Sequence, residues 1–231
     1  MTLDFYKKNK KIHLAVDCII FGFNKEELEI LLIQRDFEPE KGKWSLMGGF
    51  VEENESPDDA AQRVLKSLTG LDHIYMEQFA VFGAPHREPY ERVVSLCYFA
   101  LINTEILSTE YKARWFKLDQ CPPLIFDHNE MVTQAHNKLK KKAALYPILF
   151  ELLSDKFTIP QITMLYEAIY QNQLDKRNFT RKLLASKLLI KLDEKDKENS
   201  KKGAYYYKVD KSIYKEKIMT FLNFLPGWYG E

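Results

Sequence analysis

With 231 residues and 27.3 kDa, of which 45% are hydrophobic, 29% charged and 13% aromatic, the chain has material for one large or two modest cores and is too apolar to be largely disordered. No run approaches the roughly 18 uninterrupted apolar residues of a membrane span. A formal charge of +1 hides an asymmetry: residues 1–150 carry 19 Lys and Arg against 22 Asp and Glu, and residues 151–231 carry 15 against 11.

The N-terminus is basic (Lys7, Lys8, Lys10, Lys11), but the apolar run behind it, Val16 to Phe23, is broken by Asp17 and Cys18 and shows no small-residue cleavage site. A cytoplasmic location is expected. Cys18, Cys97 and Cys121 are odd in number, far apart and without metal-ligand spacing, so they read as buried thiols of a reducing compartment. Residues 12–23 and 28–35 are strand-like runs joined by a polar turn, Asn24 to Glu27, which predicts a hairpin. Trp44 to Val51 reads as a further strand, its Gly48 and Gly49 marking a bulge or a close backbone approach. Ser56 is placed to cap a helix whose first turn holds Pro57, Asp58 and Asp59 and which Gly70 ends. Strands follow at about 74–84, 93–103 and 113–117, and then a long amphipathic helix from Asn129 to Ala144. Beyond Pro147 the periodicity predicts helices at 160–171, 178–189 and 211–224, a charged turn over Asp193–Gly203 and a strand over Ala204–Val209. The division is drawn near residue 150.

From Gly49 the chain reads G-FVEEN-E-SPDDAAQ-R-VLKSLT-GL. Gly49, Glu55, Arg63, Leu65, Gly70 and Leu71 fall at the offsets of the Nudix box, so residues 1–150 resemble the Nudix family. The resemblance implies an α/β (α+β) mixed-sheet α/β/α sandwich, with Glu55 and Arg63 paired to shape a loop–helix–loop. In the family the helix carries glutamates where this chain has Val64, Ser67 and Leu68. That i, i+3, i+4 spacing gathers carboxylates on one face to hold Mg²⁺ or Mn²⁺ against a diphosphate. Val and Leu can neither ligate a hard cation nor help it activate water. The expectation is therefore a Nudix-like domain with no catalytic residue, no metal site and no cofactor, retained as a ligand sensor. Glu52, Glu53 and Glu55 read as solvent-facing rather than as a substitute metal site.

Candidate effector residues lie where strands end: Arg35 after the second strand, the backbone of Gly48, Gly49 and Phe50, the loop residues His86, Arg87 and Arg92, and His128 at the head of the long helix. Arginine forks suit phosphates or sugar hydroxyls.

In the second part, Lys176 to Lys187 holds five basic residues and no acidic one. Helix, turn, helix, hairpin and helix in about 70 residues outline a winged helix-turn-helix. Pro160 starts a helix with Ile162, Leu165 and Ile169 towards the core, and Gln161 and Thr163 near its N-terminus are placed to reach a DNA backbone. Phe179, Leu183, Leu184 and Leu188 form the apolar stripe of a recognition helix over 178–189. That leaves Arg177, Asn178, Thr180, Arg181, Lys182 and Lys187 for base edges and phosphates. Lys201 and Lys202 fall at the tip of the wing, and the Tyr205–Tyr207 run is expected to pack in part on the core.

Together the two parts resemble the Nudix-related transcriptional regulators over essentially the whole chain. Helix-turn-helix geometry, in which two heads read half-sites about one turn apart, predicts a homodimer on palindromic double-stranded operator DNA, and no membrane contact is expected. The resemblance implies an effector that is either ADP-ribose or a pentose such as L-arabinose. Without the metal-face carboxylates the usual reason for holding a diphosphate is gone, which tilts the expectation towards the sugar. Two readings stand beside this one: a metal-dependent Nudix hydrolase of nucleoside diphosphate derivatives, and a winged helix used for protein contact, which would lack the steep salt dependence of DNA binding.

Overall fold

The computed structural model of the protein describes residues 7–72, 74–106, 113–198 and 203–214. Its centre is β1 (His13–Phe23), whose near-continuous apolar run is covered on both faces, as a central strand requires. It runs parallel to β6 (Val93–Asn103) along its whole length and antiparallel to two strands on its other side. Ile20–Phe23 pair with β2 (Leu28–Gln34), while Ala15–Cys18 pair with β4 (Met47–Phe50). The stretch expected as one strand from Trp44 to Val51 is thus two. β3 (Trp44–Ser45) stays with β2, and β4 crosses to β1 because a side-by-side fit to both is impossible in one straight strand. β5 (Tyr75–Phe82) pairs antiparallel with β6, and β7 (Ala113–Lys117) with β2.

Alternation along β1 feeds two cores. Val16, Cys18 and Ile20 meet Ala60, Ala61, Val64 and Leu65 of α1 (Pro57–Thr69). Ile19, Phe21 and Phe23 meet Met131, Val132, Ala135 and Leu139 of α2 (His128–Leu145). The sheet is therefore sandwiched between helices, a mixed-sheet α/β/α arrangement. α1 starts and stops as its sequence dictates: Ser56 and Asp59 form a reciprocal capping box, Pro57 fits the first turn, and Gly70 ends the helix at φ 70°.

The α2 core continues without interruption into the second part, through Phe150, Leu152 and Phe157 to Ile162, Leu165, Ile169, Phe179, Leu183 and Leu188. There α3 (Ile159–Tyr170) and α4 (Lys176–Ala185) pack beside a small sheet ordered β8 (Phe157–Thr158), β10 (Ala204–Val209), β9 (Leu189–Asp196). This is a winged helix. α4 is shorter than the expected 178–189. Ser186 caps the helix, its amide donating to the Lys182 carbonyl at 3.1 Å, Lys187 turns into the left-handed region at φ 58°, and Leu189 already begins β9. Lys187 accordingly lies off the helix, and Asp193 and Glu194 lie on a strand rather than in a turn. Leu184, expected in the buried stripe, is 44% exposed, whereas Leu188 is buried from beyond the helix end. Of the helix expected over 211–224, α5 (Lys211–Tyr214) falls within the described residues.

Candidate effector site and nucleic-acid interface

The face of α1 that would have to hold metal does not fit one. Val64 is packed into the core at 4% exposure, with its Cγ2 3.1 Å from where a Cβ on Gly49 would stand. Ser67 turns its hydroxyl onto its own helix, donating to the Val64 carbonyl at 2.9 Å. Neighbouring carboxylates are already engaged: Asp58 accepts from Tyr98 Oη at 2.6 Å and Asp59 closes the capping box. Glu55 receives Arg63 Nε at 2.9 Å and Nη2 at 2.5 Å, together with the Glu52 amide at 2.9 Å. The Arg63 guanidinium, helped by that amide, holds the Glu55 carboxyl down at about 2. Arg63 Nη2 also donates to the Phe50 carbonyl, so the pair ties the helix to the end of β4. Among the described residues no three His, Cys, Asp or Glu side chains come together in a group that could hold a metal ion.

On the opposite face of the sheet lies a buried polar cluster that joins two of the candidate effector residues, Arg87 and His128, to Asp17 and Asp127, which the sequence did not single out. Asp17, in the middle of β1, accepts from Ser95 Oγ at 2.6 Å. Arg87, its side chain 1% exposed, grips Asp127 with Nε at 2.9 Å and Nη2 at 2.7 Å and comes within 3.7 Å of Asp17. Glu88 is 3.1 Å from Arg87 Nη1; burial raises its pKa and Arg87 opposes the shift. His128 Nδ1 accepts the Leu46 amide at 3.2 Å, which leaves the ring proton on Nε2, 3.7 Å from Asp17 Oδ1. Burial lowers the His128 pKa against the pull of Asp17 and holds the ring neutral near pH 7. The signal was available: a charged residue inside an otherwise apolar strand demands partners.

The candidate effector residues distribute around this cluster. Gly48 pairs with Asp17 across β1 and β4, and a Cβ there would stand 2.4 Å from Asp17 Oδ1. Its glycine therefore makes room for the buried carboxylate. Phe50, 57% exposed, lies over the His13 ring with centroids 5.2 Å apart. Arg35 is half-buried, stacks 4.1 Å over the Phe37 ring and donates Nε to the Pro39 carbonyl at 2.9 Å. His86 is exposed. Arg87 points inward, because Asp17 and Asp127 would otherwise be buried without a counter-charge, and so forms the floor of the site rather than its surface. Arg92 is occupied by carbonyls, donating to Gly83 at 2.9 Å and Val93 at 3.1 Å. Two larger clefts, about 810 Å³ between residues 150–157 and 208–214 and about 340 Å³ beside α1, are lined by none of the candidate effector residues.

The winged helix presents a different chemistry. Asp175 caps α4 by accepting the Arg177 and Asn178 amides, each at 3.1 Å. Phe179 and Leu183 face the core. Arg177 and Arg181 are exposed, and Arg181 Nη2 donates to Asn178 Oδ1 at 2.7 Å, so the two side chains form one unit along the helix. Thr180 is held by its own helix, donating to the Lys176 carbonyl, and Lys182 is half-buried. Gln161 and Thr163 are used internally. Gln161 closes the capping box with Thr158, and buried Thr163 donates to the Ile159 carbonyl at 2.7 Å, which withdraws both from a DNA-facing role. Lys201 and Lys202 lie outside the described residues. The wing strands add cations the sequence reading passed over: Lys191 and Lys195 stand 3.5 Å and 4.4 Å over the exposed Tyr205 ring. Tyr207 packs on the core as expected.

Residues 11–135 match the family model of the NUDIX domain, and residues 149–209 match that of the NrtR DNA-binding winged helix domain. The chain is 33% identical over 203 residues to the ADPR responsive transcriptional repressor NtrR of Acinetobacter baylyi, covering 84% of this chain and 81% of that protein. It is 31% identical over 128 residues to the ADP-ribose pyrophosphatase of Methanocaldococcus jannaschii, covering 54% and 76%. Among solved structures, Shewanella oneidensis NrtR complexed with a 27mer DNA superposes with a TM-score of 0.79 at 28% identity, covering 90% of this chain and 95% of that one. The NUDIX domain of the same protein complexed with ADP ribose superposes with a TM-score of 0.53 at 31% identity, covering 60% and 99%.

Proposed function

Because the chain belongs to the family of Nudix-related transcriptional regulators, we propose that it is a DNA-binding regulator whose Nudix-like part senses ADP-ribose or a close relative and thereby sets operator affinity. The observation that carries this reading is the pairing, in one chain, of an α1 with no carboxylate at the family's three metal positions with an α4 whose outward face is basic. The first removes the means of hydrolysing a diphosphate, and the second supplies groups that read and neutralise DNA. α4 enters the major groove, Arg181 and Asn178 address base edges, and Arg177, Lys182, Lys187, Lys191 and Lys195 serve phosphates. Lys201 and Lys202 extend that surface. The protein acts as a cytoplasmic homodimer, since winged-helix heads read paired half-sites.

For the effector, the relatives support ADP-ribose over the pentose favoured from sequence: one is described as responsive to it, another as cleaving it, and a third was solved with it bound. Without a metal, Arg35, the backbone at Gly49 and Phe50, and His86 are left to hold the ligand above the Arg87–His128 floor. The effector changes DNA affinity by binding one arrangement of the protein better than the other.

Fluorescence anisotropy with labelled DNA from the region upstream of the gene tests this, with ADP-ribose and L-arabinose added in separate arms. Salt-sensitive, sequence-preferring binding that ADP-ribose alters is expected. Binding no tighter than to random DNA would defeat the regulator, and a response to arabinose alone would reverse the effector. A parallel assay of phosphate products with Mg²⁺ or Mn²⁺ and ADP-ribose is expected to show no turnover, and turnover would restore the hydrolase reading.

A further inference from the structure

The cleft of about 810 Å³ between residues 150–157 and 208–214 belongs neither to the effector site nor to the DNA-reading face. Phe150 and Phe157 form its buried floor, Leu153, Val209 and Tyr214 are half-buried along it, and Ile190 stands 39% exposed at its side. The rim carries Glu151, Asp155 and Asp210 together with Lys208 and Lys211. An apolar hollow of this size open to water calls for an occupant. The chain itself leads into it. Ile213 and Tyr214 of α5 pack against the core, and Tyr214 Oη donates to Glu151 Oε1 at 3.4 Å. Tyr214 also acts electrostatically on Tyr75 of β5 and on Tyr166 of α3, so α5 ends where the edge strand of the Nudix-like sheet meets the winged helix.

Residues 215–231 follow and lie outside the described residues, and the match to the winged-helix family model has already ended at residue 209. Eight of these seventeen residues are large and apolar or aromatic, a segment that water solvates poorly. Counted from Tyr214, Ile218, Phe221, Leu222 and Leu225 fall at i+4, i+7, i+8 and i+11, the spacing of one helical face, while Glu216, Thr220 and Asn223 fall opposite and Pro226-Gly227 closes the pattern. We propose that residues 215–225 continue α5 as an amphipathic helix whose apolar face fills the 810 Å³ cleft and clamps the winged helix against the edge of the Nudix-like sheet. This segment is favoured over any other occupant because it starts at the cleft wall, so no loop has to be closed to bring it there. Its apolar stripe is in phase with Tyr214, which already packs inward. Lys215 and Lys217 bring charge opposite to that of Glu151, Asp155 and Asp210 on the rim.

Hydrogen–deuterium exchange of the full chain, read by mass spectrometry, compares wild type with Phe221→Asp, Thr220→Asp and Ile190→Asp. Phe221→Asp places a charge on the apolar stripe and is expected to speed exchange over residues 148–157 and 205–214 by about 10-fold or more, as follows when the burial of one phenylalanine no longer holds a local structure closed. Thr220→Asp, on the polar face, is expected to leave those rates unchanged. Ile190→Asp alters the facing wall and is expected to speed exchange over residues 218–225 in return; its partial exposure lets the fold tolerate the change. Wild-type exchange over 218–225 at the rate of free peptide would overturn the clamp, and so would cleft walls that do not respond to Phe221→Asp. Equal responses to Phe221→Asp and Thr220→Asp would also overturn it and assign the effect to added charge. Protection that disappears on dilution would give the cleft to a second copy of the chain and overturn the clamp within one chain.

Discussion

Two arginines in this protein grip a carboxylate with both arms, Arg63 on Glu55 and Arg87 on Asp127. Arg63 is 41% exposed in its side chain and Arg87 is 1% exposed. Similar geometry therefore does different work. The exposed pair gains little net free energy against water and serves to hold a loop shape. The buried pair neutralises charges that could not otherwise exist inside the sandwich, and it fixes the head of α2 beneath the candidate effector site. The same helix meets the winged helix lower down, where His136 Nε2 lies 2.9 Å from the Ile169 carbonyl and Tyr170 Oη donates to the Lys140 carbonyl at 2.7 Å. One ion pair shapes the motif that names the family, and the other anchors the element that joins sensor to DNA reader.

Removing the buried arginine is the sharpest way to break this contrast. Arg87→Ala leaves Asp17 and Asp127 without their shared cation and is expected to cost about 3–5 kcal/mol in urea unfolding. A loss below about 1 kcal/mol would mean that water or protonation relieves the carboxylates and that the two pairs are alike. Next in size is a pH effect at the α2–α3 contact. Burial, reinforced by nearby Lys140, lowers His136 from 6.5 to about 4. A histidine with a depressed folded pKa contributes stability in full above its unfolded pKa, and the contribution is lost as pH falls towards the folded one, because the unfolded chain takes up the proton first. At about 1.4 kcal/mol per unit, about 3 kcal/mol should disappear between roughly pH 6.5 and 4. Urea midpoints measured across that range should fall more steeply for wild type than for His136→Gln, and parallel curves would exonerate the histidine.

Tyr170→Phe deletes one hydrogen bond between α3 and α2 and is expected to cost about 1 kcal/mol. If α2 couples the two parts, the variant should keep ADP-ribose and DNA affinities separately but reduce the factor by which one alters the other, which anisotropy with and without ligand would read. An unaltered factor would remove this contact from the coupling. The smallest effect is expected at the exposed pair: Arg63→Ala should change thermal stability by no more than about 1 kcal/mol, and a larger loss would show that its tie to the Phe50 carbonyl matters more than its charge.

The Glu55–Arg63 pair followed from the resemblance to the Nudix family, whose motif holds both partners at fixed offsets, and the start of α1 at Ser56 and its end at Gly70 were legible from local residue types, whereas the reciprocal bond from Asp59 was not. Arg87 could not. An arginine in a polar loop before a strand carries no mark of burial, and its partners are 40 and 70 residues away in sequence. Lys187 and Leu188 were extended into α4 by helical periodicity, which does not register that a left-handed turn and a strand begin there. Gln161 and Thr163 looked available to DNA until their capping and back-bonding partners were seen.

Local chemistry, then, determined the resemblance to the family, most strand and helix types, the loss of carboxylates from the metal face of α1 and the basic outward face of α4, since each depends on neighbours within a few turns of the chain. Tertiary structure decided which charges are buried together, which aromatic rings are left at the rim of the site and where α4 ends. Those outcomes depend on β1 lying between β4 and β6 and on α2 closing over Asp17. They are set by the dielectric and packing of places that exist only once distant segments meet.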